Sequence, residues 1–309
     1  MKQKHLLSLK DFAPAEVEEI FALATQMKAN PAAYRQTLAG KTLGMIFQKP
    51  STRTRVSFEV GMFQLGGHAL FLGGEQIQVQ RGETLADTAK VLSGYVDGIV
   101  ARVFSQQDVV DLARHGTVPV INGLSDQLHP CQALADFFTL KELKGQLSGL
   151  KLAYVGDGNN VCNELMFGAV KLGVSMAVAC ATGYEPNQIM VKAAVREAQK
   201  ARSVAPSVLS DPVSAVSGAD AVYTDVWTSM GQEGENEKRL QAFEGFSVTA
   251  KLMSGAKRDA VFMHCLPAHR GEEVAAEVID GPQSIVFRQA ENRLHVQKAV
   301  LALFLGAKA

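Results

Sequence analysis

Two guanidiniums and three hydroxyls stand together in Ser51-Thr52-Arg53-Thr54-Arg55. Such a run supplies directed donors, two of them permanently cationic, and its natural chemistry is the binding of an anion. Leu43 to Phe47 ahead of it is apolar and Pro50 turns the chain. Val56, Val60 and Phe63 then recur at the spacing of one helical face, so the run falls between a strand and a helix. There the unbonded N–H groups of the first turn and the positive end of the helix dipole already favour negative charge. The run reads as a phosphate cradle. An ordinary Ser or Thr cap with solvated arginines accounts for one hydroxyl, not for five donors in a row.

The elements that must hold this cradle show as alternating apolar patterns. An opening helix over 14–28 carries Val17, Ile20, Phe21 and Ala24 on one face. Strands are expected at 42–47, 68–72, 98–103 and 118–122, with helices at 52–65, 84–95, 105–114 and 130–143. After the stretch Gly145 to Gly149 a second series follows, with strands near 151–155, 175–180, 220–224 and 260–264 and helices near 160–172, 187–200 and 271–279. This predicts an α/β fold of two domains, 1–145 and 146–288, each with a mostly parallel sheet flanked by helices. The last helical pattern, about 289–309, is expected to pack back onto the first domain.

Parallel sheets present ligands beyond the carboxyl ends of their strands. Those positions hold Arg102, then His129-Pro130-Cys131-Gln132 at a helix start, then Asp157 to Asn160, Asp225 to Gly231 and His264-Cys265-Leu266-Pro267. Taken singly, each has a bland account: a surface charge, a helix cap, buried packing. Taken together they predict an active site in the cleft between the domains.

Thirty-one basic residues balance 31 acidic ones, so there is no nucleic-acid or membrane footprint, and a small anion must be held by local clustering. The four cysteines are scattered without a paired spacing, and the longest apolar run near the start is Leu6-Leu7, which together predict a cytoplasmic protein. The seven histidines form no metal-ligand pairing, so no metal is expected. Gly40-Lys41-Thr42 has Arg35 where a P-loop needs its first glycine. Gly156-Asp157-Gly158 has Val161 where a dinucleotide fingerprint needs its third, and Ala179-Cys180-Ala181 offers no ribose-binding carboxylate, so no cofactor is expected.

Six ordered segments together resemble the carbamoyltransferases: Phe47 to Arg55, Arg81-Gly82-Glu83-Thr84, His129 to Gln132, Asp225 to Gly231, His264 to Pro267, and Gln289-Ala290-Glu291-Asn292-Arg293. The Ser-Met-Gly and His-Cys-Leu-Pro segments resemble the ornithine branch of that family. The resemblance implies a carbamoyl-phosphate domain, an ornithine domain, and a homotrimer with active sites at subunit interfaces. It implies transfer of the carbamoyl group of carbamoyl phosphate to the δ-amine of L-ornithine, giving L-citrulline and phosphate in arginine metabolism. Ser51, Thr52, Arg53 and Thr54 would hold the phosphate, with Gln78 reaching in from a neighbouring subunit. Arg102, His129 and Gln132 would meet the carbamoyl and phosphate oxygens, and Cys265, Leu266 and Arg293 would complete the carbamoyl side. Asn160, Asp225, Ser229 and Met230 would hold the α-amino and α-carboxylate groups of ornithine. Arg102, His129 and Cys265 are the catalytic candidates. Glu164 departs from the pattern, standing where a small hydroxyl residue belongs, and its bland account is a solvated side chain.

The chemistry agrees with this assignment. Carbamoyl phosphate is an activated mixed anhydride, so its transfer needs positioning, charge stabilisation and a neutral amine. An alkyl ammonium of pKa about 10.4 is neutral only about once in 2,500 molecules at pH 7, and desolvation by domain closure would help deprotonate it. Cys265 and the phosphate are both candidate proton acceptors. Carbamoyl transfer to acetylated ornithine, putrescine or aspartate is the nearest alternative, and the Asp225 and Ser229 segment argues against it. An NAD-binding oxidoreductase and a non-catalytic ligand-binding protein are the alternatives from other classes.

Overall fold

The structure, a computed structural model, describes residues 1–74, 82–229, 231 and 233–306. The chain divides into two compact units, Met1–Phe138 with Glu291–Ala309, and Thr139–Ala290.

In the first unit, helix α1 (Pro14–Ala29) buries Val17, Ile20, Phe21, Ala24 and Met27 along one face. Proline occupies its first turn, where no N–H is needed, and Glu16 Oε2 accepts the Ala13 N–H at 3.1 Å. Strand β1 (Thr42–Phe47) leads into α2 (Thr52–Gln64), β2 (His68–Gly73), α3 (Leu85–Ser93), β3 (Gly98–Arg102), α4 (Gln106–His115), β4 (Val120–Leu124) and α5 (Pro130–Lys144). The four strands pair in parallel in the order β2-β1-β3-β4. Ile46, Ile99 and Ala101 from the sheet pack with Val109 and Leu112 of α4.

The second unit holds β5 (Lys151–Val155), α6 (Asn160–Leu172), β6 (Ser175–Ala179), α7 (Gln188–Ala201), β7 (Ser207–Leu209), α8 (Pro212–Val216), β8 (Ala221–Thr224), α9 (Asn236–Ala242), α10 (Ala250–Met253), β9 (Val261–His264) and α11 (Ala276–Ile279). Its parallel strands run in the order β7-β6-β5-β8-β9. Helix α6 is buried nearly all round and ends on Gly173 at φ 69°, the left-handed position that glycine takes without a Cβ clash.

The last helix, α12, spans Val286–Leu305, and residues from Glu291 onward belong to the first unit. A Cβ on Gly98 would lie 2.8 Å from the end of the Leu305 side chain, so β3 and the end of α12 pack closely there. Among the described residues no helix is long and apolar enough to cross a membrane.

Both sheets have a point where the strand order reverses, between β1 and β3 in the first and between β5 and β8 in the second. Loops leaving two adjacent strands in opposite directions open a crevice at such a point. The expected helix over 271–279 is a correction: only Ala276–Ile279 is helical. Gly271 takes φ 91° and opens a turn over 271–273, and Val274 forms bridges with both Val248 and Arg270, which keeps that stretch out of a helix.

Candidate active site

At the first reversal, Arg102 closes β3 directly opposite Phe47 of β1, and its carbonyl accepts the Gln48 N–H at 2.8 Å. The loop that follows β1 carries Ser51 as the N-cap of α2, its hydroxyl accepting the Thr54 N–H at 3.2 Å. Ser51 therefore does serve as an ordinary cap, and it does so at the mouth of the crevice. Thr52 is exposed and Arg53 half-buried. Thr54 is buried, and its hydroxyl accepts from Arg293 Nη2 at 3.1 Å. Arg293 Nη1 donates to Gln132 Oε1, and Gln132 Nε2 donates to Asp136 Oδ1 at 2.8 Å, which fixes which end of the amide faces the arginine.

His129 stands just before Pro130 at the start of α5 and is buried. Burial, followed by the charges of Arg293, Arg102 and Arg53, holds its pKa well below the ordinary imidazole value. At neutral pH it is an uncharged donor among three guanidiniums. Lys49 adds a fourth cation: burial and the charge of Arg102 lower its pKa, and its ammonium lies 4.7 Å from the centre of the Phe104 ring. Lys49 stands in the segment Phe47 to Arg55, two residues before Ser51, with no role of its own legible from the sequence.

Arg55 is a correction to the run of five donors. It bonds Glu59 at 2.9 Å, and its guanidinium lies 3.7 Å from the centre of the Phe71 ring. It belongs to the packing of α2.

At the second reversal, Asn159 caps α6, its Oδ1 accepting the Val161 N–H at 2.9 Å and the Cys162 N–H at 3.2 Å. Its Nδ2 donates to Asp225 Oδ2 at 2.7 Å. Asp225 follows β8 and is buried, and its Oδ1 accepts the Val226 N–H at 2.8 Å and the Cys265 thiol at 2.9 Å. Asn160, the residue singled out from the sequence, opens α6, and the carboxamide that meets Asp225 is that of its neighbour. A doubled asparagine at a strand-to-helix turn was the signal for it. Ser229 is half-buried in the loop after β8. Gln78, Arg81 and Met230 lie outside the described residues.

Leu266 takes φ 60°, and its N–H donates to His264 Nδ1 at 2.8 Å. That bond leaves Nε2 as the proton-bearing nitrogen of His264, 3.2 Å from Glu273 Oε1. Glu273 Oε1 also accepts the His269 N–H at 2.6 Å, so one buried carboxylate ties both ends of the His264 to His269 segment. Among the described residues, Asp225, His264 and Cys265 bring possible metal-ligand atoms within 4.8 Å of one another, as do His269, Glu272 and Glu273. The first group's atoms are engaged in the hydrogen bonds just given.

Glu164 is a further correction. It is 0 % exposed, because α6 is covered on every side, so the expectation of a solvated side chain fails.

Residues 4–142 match the family description aspartate/ornithine carbamoyltransferase, carbamoyl-P binding domain, and residues 148–304 match the Asp/Orn binding domain of the same family. The chain is 56 % identical to an ornithine carbamoyltransferase of Thermococcus kodakarensis, covering 98 % of this chain and 96 % of that one. It is 55 % identical to an anabolic ornithine carbamoyltransferase of Pyrococcus furiosus, again over 98 % and 96 %. Among solved structures it is similar to the Pyrococcus furiosus ornithine carbamoyltransferase, with a TM-score of 0.94 and 55 % identity over 99 % of this chain and 98 % of that one. It is also similar to the Thermus thermophilus ornithine carbamoyltransferase, with a TM-score of 0.89 and 46 % identity over 99 % and 100 %.

Proposed function

The chain belongs to the aspartate/ornithine carbamoyltransferase family, and from that premise we propose how its residues divide the work of the reaction. It transfers the carbamoyl group of carbamoyl phosphate to the δ-amine of L-ornithine, giving L-citrulline and phosphate in arginine biosynthesis. The observation that carries the residue roles is the bonding of Arg293 to Thr54 and Gln132 at the β1/β3 reversal, where Arg102 ends β3 and the charges of Arg293, Arg102 and Arg53 keep buried His129 uncharged. Several guanidiniums gathered at one place favour an anion, and a phosphate dianion suits them.

In this reading Ser51, Thr52, Arg53 and Thr54 hold the phosphate. Arg102 and His129 donate to the carbonyl oxygen, and Arg293 and Gln132 set the geometry of that side. The neutral amine attacks the carbonyl carbon, and the negative charge that develops on the oxygen meets donors already in place. The carbon–oxygen bond to phosphate then breaks, and phosphate leaves with the electron pair. Asp225 holds the α-ammonium of ornithine, while Asn160 and Ser229 supply neutral donors to its α-carboxylate. The proton lost by the amine passes to phosphate, or to the Cys265 sulphur as the Cys265 thiol hands its own proton to Asp225 Oδ1, and Cys265→Ser separates the two routes through its effect on kcat.

Gln78 and Met230 keep the roles implied by the resemblance. We place the enzyme in the cytoplasm as a homotrimer in which Gln78 acts across a subunit interface. Mixing inactive Gln78→Ala with inactive Arg102→Ala subunits restores activity if the site is shared, and no recovery after verified exchange refutes that. The acceptor is tested by citrulline and phosphate release over a panel of amines. Equal efficiency with putrescine or aspartate would overturn the choice of ornithine.

A further inference from the structure

Arg239 lies on α9, outside every motif that marked the site, and it is only 6 % exposed. A buried guanidinium must be matched on several sides to offset its lost hydration. Its Nη1 donates to the Trp227 carbonyl at 2.8 Å and lies 3.3 Å from Asp157 Oδ2. Nε donates to Glu235 Oε2 at 3.2 Å, and the guanidinium carbon lies 4.8 Å from the centre of the Tyr184 ring. Asp157 belongs to the loop after β5, two residues before Asn159. Trp227 belongs to the loop after β8, two residues beyond Asp225. One side chain thus joins the same two loops that Asn159 and Asp225 join. The end of the same helix grips the indole as well: Phe243, the C-cap of α9, stacks on Trp227 at 5.3 Å with 10° between the ring planes.

We propose that Arg239 is a positioning residue for the amino-acid acceptor: it ties the loop after β5 to the loop after β8, aims the Asp225 carboxylate, and occupies Asp157 so that this second carboxylate does not compete for the substrate ammonium. The inference rests on the assignment of Asp225 to that ammonium.

The charges around Asp157 support it. Burial pushes its carboxyl up to about 6, Asp225 and Glu235 push the same way, and Arg239 opposes them. Tyr154 on β5, Cys162 on α6 and Cys180 after β6 also feel the Asp157 charge, which raises their pKa values further. Among the described residues, Arg239 is the only cation of the groups that shift Asp157. Without it, the carboxyl titrates closer to neutrality.

The experiment compares Arg239→Met and Arg239→Lys with wild type in steady-state citrulline formation across pH 5–9, with thermal unfolding as the check on folding. Arg239→Met is expected to raise the ornithine KM about tenfold or more where Asp157 is ionised, leave the carbamoyl phosphate KM within about twofold, and show this loss shrinking toward acid pH as Asp157, freed of Arg239, takes up its proton. Arg239→Lys keeps the charge but not the fork, so its ornithine KM rises about threefold without that relief at acid pH. A structural role alone would give a loss that does not depend on pH. An unchanged ornithine KM in either folded variant, a parallel rise in both KM values, or a pH-independent loss in Arg239→Met overturns the proposal. If Arg239→Met does not fold, the ornithine KM of Arg239→Lys decides. Failure of the underlying assignment looks different: Asp225→Asn would then leave ornithine kinetics unchanged.

Discussion

Asp225→Asn replaces one carboxylate oxygen by an NH2 group, and the surroundings dictate which one. Asn159 cannot turn its amide, because its Oδ1 already accepts the Val161 and Cys162 N–H groups at the start of α6. Its Nδ2 must therefore keep donating toward position 225, and the new amide there must answer with its oxygen. The new NH2 group then faces the Val226 N–H, a donor against a donor, and the Cys265 thiol, whose hydrogen bond has to reverse. One buried donor left unmatched costs about 1–3 kcal/mol, and loss of a charge-assisted bond to the substrate ammonium costs about 1.5–3 kcal/mol. The first lowers stability in the free enzyme and the complex alike, so the second alone sets the fall in kcat/KM for ornithine, roughly ten- to 150-fold. Carbamoyl phosphate KM should stay within about twofold, since the residues given its phosphate lie at the other reversal. Initial citrulline rates against each substrate, with thermal unfolding alongside, measure both. The double variant Asn159→Asp with Asp225→Asn sharpens the test. There the new amide at position 225 donates to the new carboxylate at position 159, which still caps α6, and the amide oxygen is released to accept from Val226. Stability should return while ornithine efficiency stays low. Wild-type ornithine efficiency in the single variant, or recovery of both properties in the double, would refute the reasoning.

Arg293→Met removes the donor from Gln132 Oε1 and from Thr54 Oγ1, and should weaken carbamoyl phosphate binding by about 2–4 kcal/mol, read by calorimetry; unchanged affinity rejects the role given to Arg293. Glu164→Ser empties part of a closed site and should lower stability by about 1–3 kcal/mol, seen as a fall in Tm; an unchanged Tm would mean that α6 relaxes freely around position 164. His5 accepts the Val120 N–H through Nδ1, and burial, then Lys4, depresses its pKa to about 4. Its stabilisation is complete above about pH 6.5 and is lost as pH falls toward about 4, because the unfolded chain takes up the proton first; solvent screening at this half-buried site leaves about 1 kcal/mol. His5→Asn keeps an acceptor without the titration and should flatten that limb in urea unfolding, so identical acid limbs in the two proteins count against it.

What the sequence disclosed and what it hid follow from range. Buried parallel strands read as continuous apolar runs, so β1, β3, β5 and β6 were legible, as was α6. Three residues at Ser207–Leu209 are too few for a pattern, and α8, α9 and α10 are too short for periodicity to show. The donor run was legible as chemistry but not as direction. Arg53 and Arg55 are two apart on α2, and residues at that spacing face away from each other, so one guanidinium acts on His129 while the other packs on Phe71. Strand order was not legible at all, and it decides which loops meet. The reversal between β5 and β8 brings Asn159 to Asp225 across 66 residues of chain, and Arg239 joins the same loops from a helix that no motif announced. Local patterns name the residues able to do chemistry, whereas the crossovers of the sheet select which of them meet. The carboxamide that reaches Asp225 is therefore the cap at position 159 rather than its neighbour at 160.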